Sequence, residues 1–132
     1  MNWLFNGVEQ TIVPEGFQGF VYCITNLLDG RRYFGKKNYW FAKTKTVKGK
    51  KKRIKVESDW QDYYGSSEEL KADIERLGAE NFSREILHQC KTKGMLSYME
   101  LKLQMLYEVL ERPTEFYNRQ IHCRIHASHV KL

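Results

Sequence analysis

Two tyrosines lie on either side of a tight turn in the stretch GFVYCITNLLDGRRYFGKK, residues 19–37. Tyr22 precedes the turn, Tyr33 follows it, and Lys36 comes directly after the triplet Tyr-Phe-Gly. A phenol ionises at about pH 10 and is a poor base at neutrality, but neighbouring cations lower its pKa. The stretch is therefore either one half of an acid–base site or an ordinary β-hairpin filled with aromatic side chains, since tyrosine also favours strands.

A strongly basic segment begins inside the same stretch. Residues 31–55 hold twelve Lys or Arg and no Asp or Glu, whereas the rest of the chain holds ten cations against sixteen acids. A charge this segregated favours a polyanionic partner, usually nucleic acid, because phosphate contacts release counterions. The alternative is a solvated, flexible basic loop. The predicted nucleic-acid contacts are Arg31, Arg32, Lys37, Lys43, Lys45, Lys48, Lys50, Lys51, Lys52, Arg53 and Lys55.

The length and composition are those of one folded domain. The chain has 132 residues, of which 42% are hydrophobic and 14% aromatic. Its three cysteines are widely spaced and lack a Cys-x-x-Cys pair, which favours free thiols in a reducing compartment. The N-terminal stretch does not resemble a signal peptide, and no apolar run approaches the length of a membrane span. We expect a cytoplasmic protein.

The elements that must position the tyrosines follow in the order strand, strand, basic arm, helix, strand, helix. FQGFVYCITN and RRYFG predict an antiparallel hairpin around the turn LLDG. KKNYWFAKTKTVKGKKK predicts either an extended basic loop or a long hairpin arm, which RIKVE would close. Residues 1–16 lack periodicity and are expected to be an irregular lead-in. This order predicts an α+β domain over residues 17–120, followed by a short tail, residues 121–132.

Two helices are predicted from apolar spacing and capping residues. Ser66 and Glu69 have the spacing of a capping box for the first helix. The second, within KGMLSYMELKLQMLYEVLE, is expected to run until Pro113 ends it. Its predicted buried stripe comprises Leu96, Met99, Leu103, Leu106 and Leu110.

The motifs together resemble those of the GIY-YIG nucleases. Phe-Val-Tyr at 20–22 and Tyr-Phe-Gly at 33–35 match the paired motifs, and Lys36 directly follows the second one. FSREIL would supply a third strand, Glu100 lies inside the long helix, and Phe-Tyr-Asn ends at Asn118. The resemblance is greatest to small phage Seg-like homing endonucleases. It implies a small three-stranded antiparallel sheet flanked by helices, with the basic loop or hairpin inserted after the second strand.

The resemblance also implies roles for particular residues in hydrolysing double-stranded DNA. Glu100 would be the one protein ligand to Mg²⁺ or Mn²⁺, because a hard cation that keeps most of its waters needs few carboxylates. Tyr33 would be the general base, with Tyr22 beside it, and nearby cations would lower its pKa. Lys36 would steady the scissile phosphate, and Asn118 would help to fix the site by hydrogen bonding.

Two departures from the family pattern leave alternatives open. Phe20 stands where the first motif has glycine, and Lys43 stands where family members carry an arginine in a helix. Arg53 and Arg84 are the candidates for that arginine, and Lys37 or Lys45 would replace it only as point charges. The alternatives are therefore a restriction-type or repair-type nuclease of the same fold, or a DNA-binding module without activity.

The C-terminal tail offers one further candidate site. His122, Cys123, His126 and His129 are residue types that bind zinc. Closed zinc sites usually combine paired ligand clusters, and nothing else in the sequence completes such a set. The prediction is therefore a short C-terminal tail, with zinc binding as the alternative.

Overall fold

The computed structural model describes residues 2–130, which form an α+β domain as the sequence predicts. Within these residues, neither α-helix combines the length and the apolarity that a membrane crossing requires. The elements in chain order are β1 (Leu4–Phe5), β2 (Val8–Glu9), β3 (Gly19–Asn26), β4 (Arg32–Asn38), β5 (Trp40–Val47), β6 (Lys50–Glu57), α1 (Glu68–Leu77), β7 (Phe82–Cys90) and α2 (Lys93–Leu106).

The main sheet has five strands, in the order β2-β1-β7-β3-β4. β7, β3 and β4 are antiparallel neighbours, whereas β1 runs parallel to β7. The three predicted antiparallel strands therefore form one end of this sheet, and residues 1–16 add two short strands at the other end. Trp3, just before β1, is buried and donates its Nε1–H to the Trp60 carbonyl at 2.7 Å. This anchor holds β1 against an edge of β7 that would otherwise be open.

Side chains alternate along each strand, so the two faces of the sheet carry separate cores. Phe20, Tyr22 and Ile24 of β3 point into an aromatic core that α1 covers. Val21 and Cys23 point to the opposite face, which α2 and the chain that follows it cover. The position of a residue along β3 or β4 therefore decides which helix its side chain meets.

Helix α1 begins one residue later than the sequence predicts. Ser67 caps it by accepting the Leu70 N–H at 3.2 Å. The capping box predicted from Ser66 and Glu69 is therefore wrong. Ser66 lies just outside the helix, and its hydroxyl is left free for a contact with β4.

Helix α2 is shorter than predicted, since it ends at Leu106 rather than near Pro113. Glu108 then adopts a positive φ of 54°, so the chain turns away from the helical path. As a result Leu106 and Leu110 are exposed, and Val109 is buried in their place.

The basic segment forms a two-stranded hairpin, β5–β6, which we call the arm (residues 40–57). Val47 pairs with Lys50, so only Lys48 and Gly49 form its turn. Their φ values of 51° and 75° are both positive, as the two-residue type I′ turn requires. Of the two predicted forms, the structure adopts the hairpin, and nearly every side chain of the arm is exposed.

Candidate active site

Strand β4 lies at the edge of the main sheet, so alternate residues point their backbone groups away from β3. The outward backbone groups of Arg32 bind the segment of residues 115–117. The Arg32 N–H donates to the Glu115 carbonyl, and the Arg32 carbonyl accepts from the Tyr117 N–H. The backbone of Phe34 binds the Asn118 side chain in the same way. Asn118 accepts the Phe34 N–H at 3.0 Å and donates to the Phe34 carbonyl at 2.8 Å. The buried Asn118 side chain therefore replaces a neighbouring strand.

Lys36 continues the same edge and joins it to helix α2. Its backbone N–H donates to the Glu100 carboxylate, and its Nζ donates to Ser97 Oγ at 2.7 Å. Burial raises the pKa of Glu100, although the charges of Lys36 and His122 oppose this shift. The ionised form of Glu100 is therefore less stable in the free protein than it would be in water.

Tyr22 lies on the aromatic face of β3, directly opposite Gly35 of β4. A Cβ atom on Gly35 would collide with the Tyr22 hydroxyl oxygen and would lie 2.6 Å from the ring carbon Cζ. The Tyr22 phenol therefore crosses β4 at the one position that has no side chain. Its ring is buried, with the Tyr63 ring at 6.0 Å and the Tyr33 ring at 6.2 Å between centroids.

Tyr33 is the more accessible of the two tyrosines, and its hydroxyl lies 2.9 Å from Ser66 Oγ. Gly65 brings this serine close: a Cβ there would lie 3.1 Å from the Tyr33 ring, and the backbone φ of +89° favours glycine. The sequence-based interpretation missed Ser66 as a site residue, because its spacing to Glu69 also fits a helix cap.

The tyrosines and Glu100 belong to one electrostatic site. Burial is the main reason that the pKa values of Tyr22 and Tyr33 are raised, and the Glu100 charge raises both further. The prediction that neighbouring cations lower the pKa of Tyr33 is therefore wrong for the free protein. Each phenol is held neutral at physiological pH and is able to act as a hydrogen-bond donor.

The way in which Tyr33 and Lys36 meet differs from the prediction. They lie on opposite faces of β4, and a bulge at Gly35 was expected to bring them together. The pairing of β3 with β4 is regular throughout, and the irregularity of the sheet lies between β3 and β7, at Val21 and Tyr22. Tyr33 and Lys36 instead lie on opposite faces of β4, and Glu100 interacts with both.

Arg84, one of the two candidates for the arginine of the family pattern, lies in the aromatic core. This residue is buried and donates to the carbonyls of Gln61 and Tyr63 at 3.0 and 2.8 Å. Its guanidinium lies 4.7 Å from the Trp3 ring centroid and 4.1 Å from that of Tyr64. Arg84 therefore holds the aromatic core together, and burial lowers its pKa.

Lys37 lies on the aromatic face beside Tyr63. Its Nζ lies 4.0 Å from the Tyr63 ring centroid and 2.6 Å from Asp59 Oδ1. Tyr63 in turn hydrogen-bonds to Tyr22. Among the proposed substitutes, Arg53 and Lys45 lie instead on the exposed arm.

The predicted nucleic-acid contacts fall into two groups. Arg31 pairs with Glu69 and lies 4.0 Å from the Tyr117 ring centroid, and Arg32 lies over three aromatic rings at 5.0 to 5.7 Å. Both guanidinium groups therefore also serve packing. Lys37, which pairs with Asp59, belongs with these two. The predicted contacts that are exposed are those of the arm: Lys43, Lys45, Lys48, Lys50, Lys51, Lys52, Arg53 and Lys55.

The C-terminal tail brings His122 close enough to lower the pKa of Glu100. His126 and His129 instead form a local capping box, in which the His126 N–H donates to His129 Nδ1 at 3.1 Å. Within residues 2–130, no group of three His, Cys, Asp or Glu side chains is arranged to hold a metal ion. Sequence spacing gave no signal for the contact between His122 and Glu100, which depends on how the tail folds back along α2.

One carboxylate is nevertheless enough for the divalent metal that the sequence resemblance implies. Glu100 is half-buried, and its main cationic neighbours are Lys36 and His122. Mg²⁺ is commonly held by one or two carboxylates together with water and substrate phosphate. The residues present therefore fit a hard divalent cation with Glu100 as its one protein ligand.

Most of the chain matches a known protein family. Residues 3–121 match the family described as "Putative endonuclease segE, GIY-YIG domain". The match includes β1 and β2, which the predicted domain of residues 17–120 left out. No curated protein and no solved structure matches the chain.

Proposed function

The chain belongs to the GIY-YIG endonuclease family and is therefore a phosphodiester hydrolase that acts on DNA; we propose that it is a phage homing-type enzyme that cleaves double-stranded DNA with Mg²⁺ or Mn²⁺. One observation carries this proposal. The rings of Tyr22 and Tyr33 lie 6.2 Å apart beside β4, and the backbone N–H of Lys36 joins the same strand to the Glu100 carboxylate.

Tyr33 is the proposed general base, and the buried Tyr22 supports it. Tyr33 is the phenol that solvent and substrate can reach, whereas Tyr22 is only 1% exposed. The raised pKa of Tyr33 keeps its proton on in the free protein. Positive charge near the hydroxyl lowers such a pKa, and Ser66 is placed to share the hydrogen bond with either form of the phenol.

Glu100 is the proposed metal ligand. Its charge raises the pKa of both tyrosines, so neutralising this charge removes a factor that keeps Tyr33 protonated. A divalent cation bound there would stabilise charge on the phosphoryl oxygens and acidify a bound water. The carboxylate itself is oriented by the Lys36 N–H.

Lys36 and Asn118 have different proposed roles. The Lys36 ammonium, held by Ser97 beside Glu100, supplies positive charge for a substrate phosphate. Asn118 is 3% exposed, and both atoms of its amide hydrogen-bond to the Phe34 backbone. It therefore positions β4 and does not touch DNA. We assign the cation on the tyrosine side to Lys37 and leave Arg53 to DNA binding.

A second candidate function is supported by one specific observation. Arg84, one of the two arginines proposed to complete the site, is committed to the core by carbonyl and ring contacts. Arginine and lysine are not equivalent at phosphate, because only arginine offers a planar bidentate fork. A chain that relies on Lys37 would bind DNA and cleave it slowly or not at all.

Cleavage of supercoiled plasmid distinguishes these candidates. Wild type with Mg²⁺ should nick or linearise the plasmid, whereas Glu100→Gln and an EDTA control should leave it intact. Tyr33→Phe should also lose cleavage, and Tyr107→Phe is its matched control, because Tyr107 stacks on Phe34 at the opposite face. Retardation of intact plasmid by wild type in Mg²⁺ would establish the binding module and overturn the nuclease assignment.

A further inference from the structure

The arm presents two chemically different faces. Its register pairs Lys45 with Lys52 and Thr44 with Arg53, so these two pairs point in opposite directions. We call the side with Lys43, Lys45, Lys50 and Lys52 the lysine face; it also carries the apolar residues Phe41, Val47, Ile54 and Val56. We call the side with Ala42, Thr44, Thr46, Lys51, Arg53 and Lys55 the threonine face.

The lysine face is built for a polyanion. Lys45 and Lys52 stand directly opposite each other, and like charges in this position destabilise a two-stranded sheet. No acid of the arm shares this face, because Glu57, its one acid, pairs with Trp40 on the other face at the base. Phosphates would relieve the repulsion, and lysine contacts them as a flexible point charge without reading sequence.

The threonine face carries side chains that recognise base edges. Arginine bonds bidentately to guanine O6 and N7, threonine bonds to several base edges, and the methyl groups of alanine and threonine contact the thymine methyl. Thr44 lies directly across from Arg53, so the two reach neighbouring positions from one point of the ribbon. The pairs on this face contain no like charges.

The shape of the arm fits the major groove. Each strand has eight residues, which span about 26 Å at roughly 3.3 Å per residue. The turn of only Lys48 and Gly49 keeps the tip narrow. A major groove about 12 Å wide admits a two-stranded ribbon of this kind.

We propose that the threonine face of the arm reads base edges in the major groove, while the lysines of the other face reach the flanking phosphates. This inference rests on the proposed function only in taking double-stranded DNA as the partner. It assigns sequence preference to Ala42, Thr44, Thr46 and Arg53, and sequence-independent affinity to Lys43, Lys45, Lys50 and Lys52.

Binding to a pool of randomised duplexes tests the division without requiring cleavage. The full chain is incubated with the pool in EDTA, and the retained duplexes are sequenced. Wild type should enrich a short motif that contains guanine. Arg53→Lys keeps the charge but loses the fork, so it should lose that guanine preference. Lys52→Gln, its matched change on the lysine face, should keep the motif.

Salt titration and a modified base complete the test. Lys52→Gln should reduce the slope of log affinity against log salt by about 0.9, whereas Arg53→Lys should leave the slope unchanged. Replacing the preferred guanine with 7-deazaguanine should weaken wild type about tenfold and Arg53→Lys far less. A pool without enrichment, a motif that Arg53→Lys retains, or a motif that Lys52→Gln changes would each overturn the inference. Plasmid cleavage without enrichment would refute this inference and leave the nuclease assignment standing.

Discussion

Replacing Asn118 with alanine should destabilise the protein and slow cleavage through the position of β4. The substitution removes both hydrogen bonds to Phe34, at 3.0 and 2.8 Å. The Phe34 carbonyl still accepts a hydrogen bond from the Gln104 amide at 3.2 Å. The buried Phe34 N–H, however, is left without a side-chain acceptor. An orphaned buried donor costs about 1–3 kcal/mol and the second bond about 1 kcal/mol, so we expect a loss of about 3 kcal/mol. For a domain of this size, that lowers Tm by about 10 °C.

Thermal unfolding and single-turnover cleavage together check this expectation. Gln104→Leu is the matched control, because it removes only a bond to a carbonyl that Asn118 still serves, and we expect it to cost about 1 kcal/mol or less. Below its Tm, Asn118→Ala should lose at least about tenfold in cleavage rate while its affinity for DNA stays unchanged. An unchanged Tm combined with abolished cleavage would refute the positioning role and place Asn118 in the chemistry itself.

Four further predictions follow from the same site. Gly35→Ala should abolish cleavage and cost about 1–3 kcal/mol in denaturant unfolding, because its Cβ displaces the Tyr22 phenol; wild-type cleavage would contradict this. Glu100→Gln should raise Tm more at about pH 7 than at about pH 4. The pKa of Glu100 is raised by folding, so its ionised form lowers the free energy of unfolding increasingly as pH rises. An equal gain in Tm at both pH values would refute this. Mg²⁺ should raise the Tm of wild type but not that of Glu100→Gln, and stabilisation of both would argue for another metal ligand. Arg84→Met should lower Tm yet cleave normally once folded, whereas an inactive folded variant would restore Arg84 as the missing arginine.

Local sequence patterns were sufficient for the parts of the site that lie on regular elements. The hairpin of β3 and β4 follows from aromatic alternation around a glycine turn, and it places Tyr22 across from Gly35. The family resemblance singled out Glu100 inside the second helix, and its carboxylate does reach the backbone of β4. The roles of these residues remain predictions, but their juxtaposition is observed.

What the sequence could not give depends on contacts between distant segments. The Trp3 side chain, just before β1, is held by a hydrogen bond to the Trp60 carbonyl. No local pattern in residues 1–16 predicts that partner. Arg84 was a candidate for the arginine of the family pattern, but aromatic rings and carbonyls from distant segments surround it. Ser66 fits a cap equally well by spacing, and only the fold directs it to Tyr33.

The electrostatic design of the free protein explains why the site would act only when its partners are bound. Burial and the Glu100 charge raise the pKa of Tyr33, so the group assigned as base is protonated in isolation. Burial likewise raises the pKa of Glu100. Positive charge near Glu100 favours its ionised form and, by offsetting its field, favours the ionised form of Tyr33 as well. One cation bound beside Glu100 would therefore lower the pKa values of both Glu100 and Tyr33. The half-buried carboxylate costs stability in the free protein, but it would make the reactivity of Tyr33 depend on that cation.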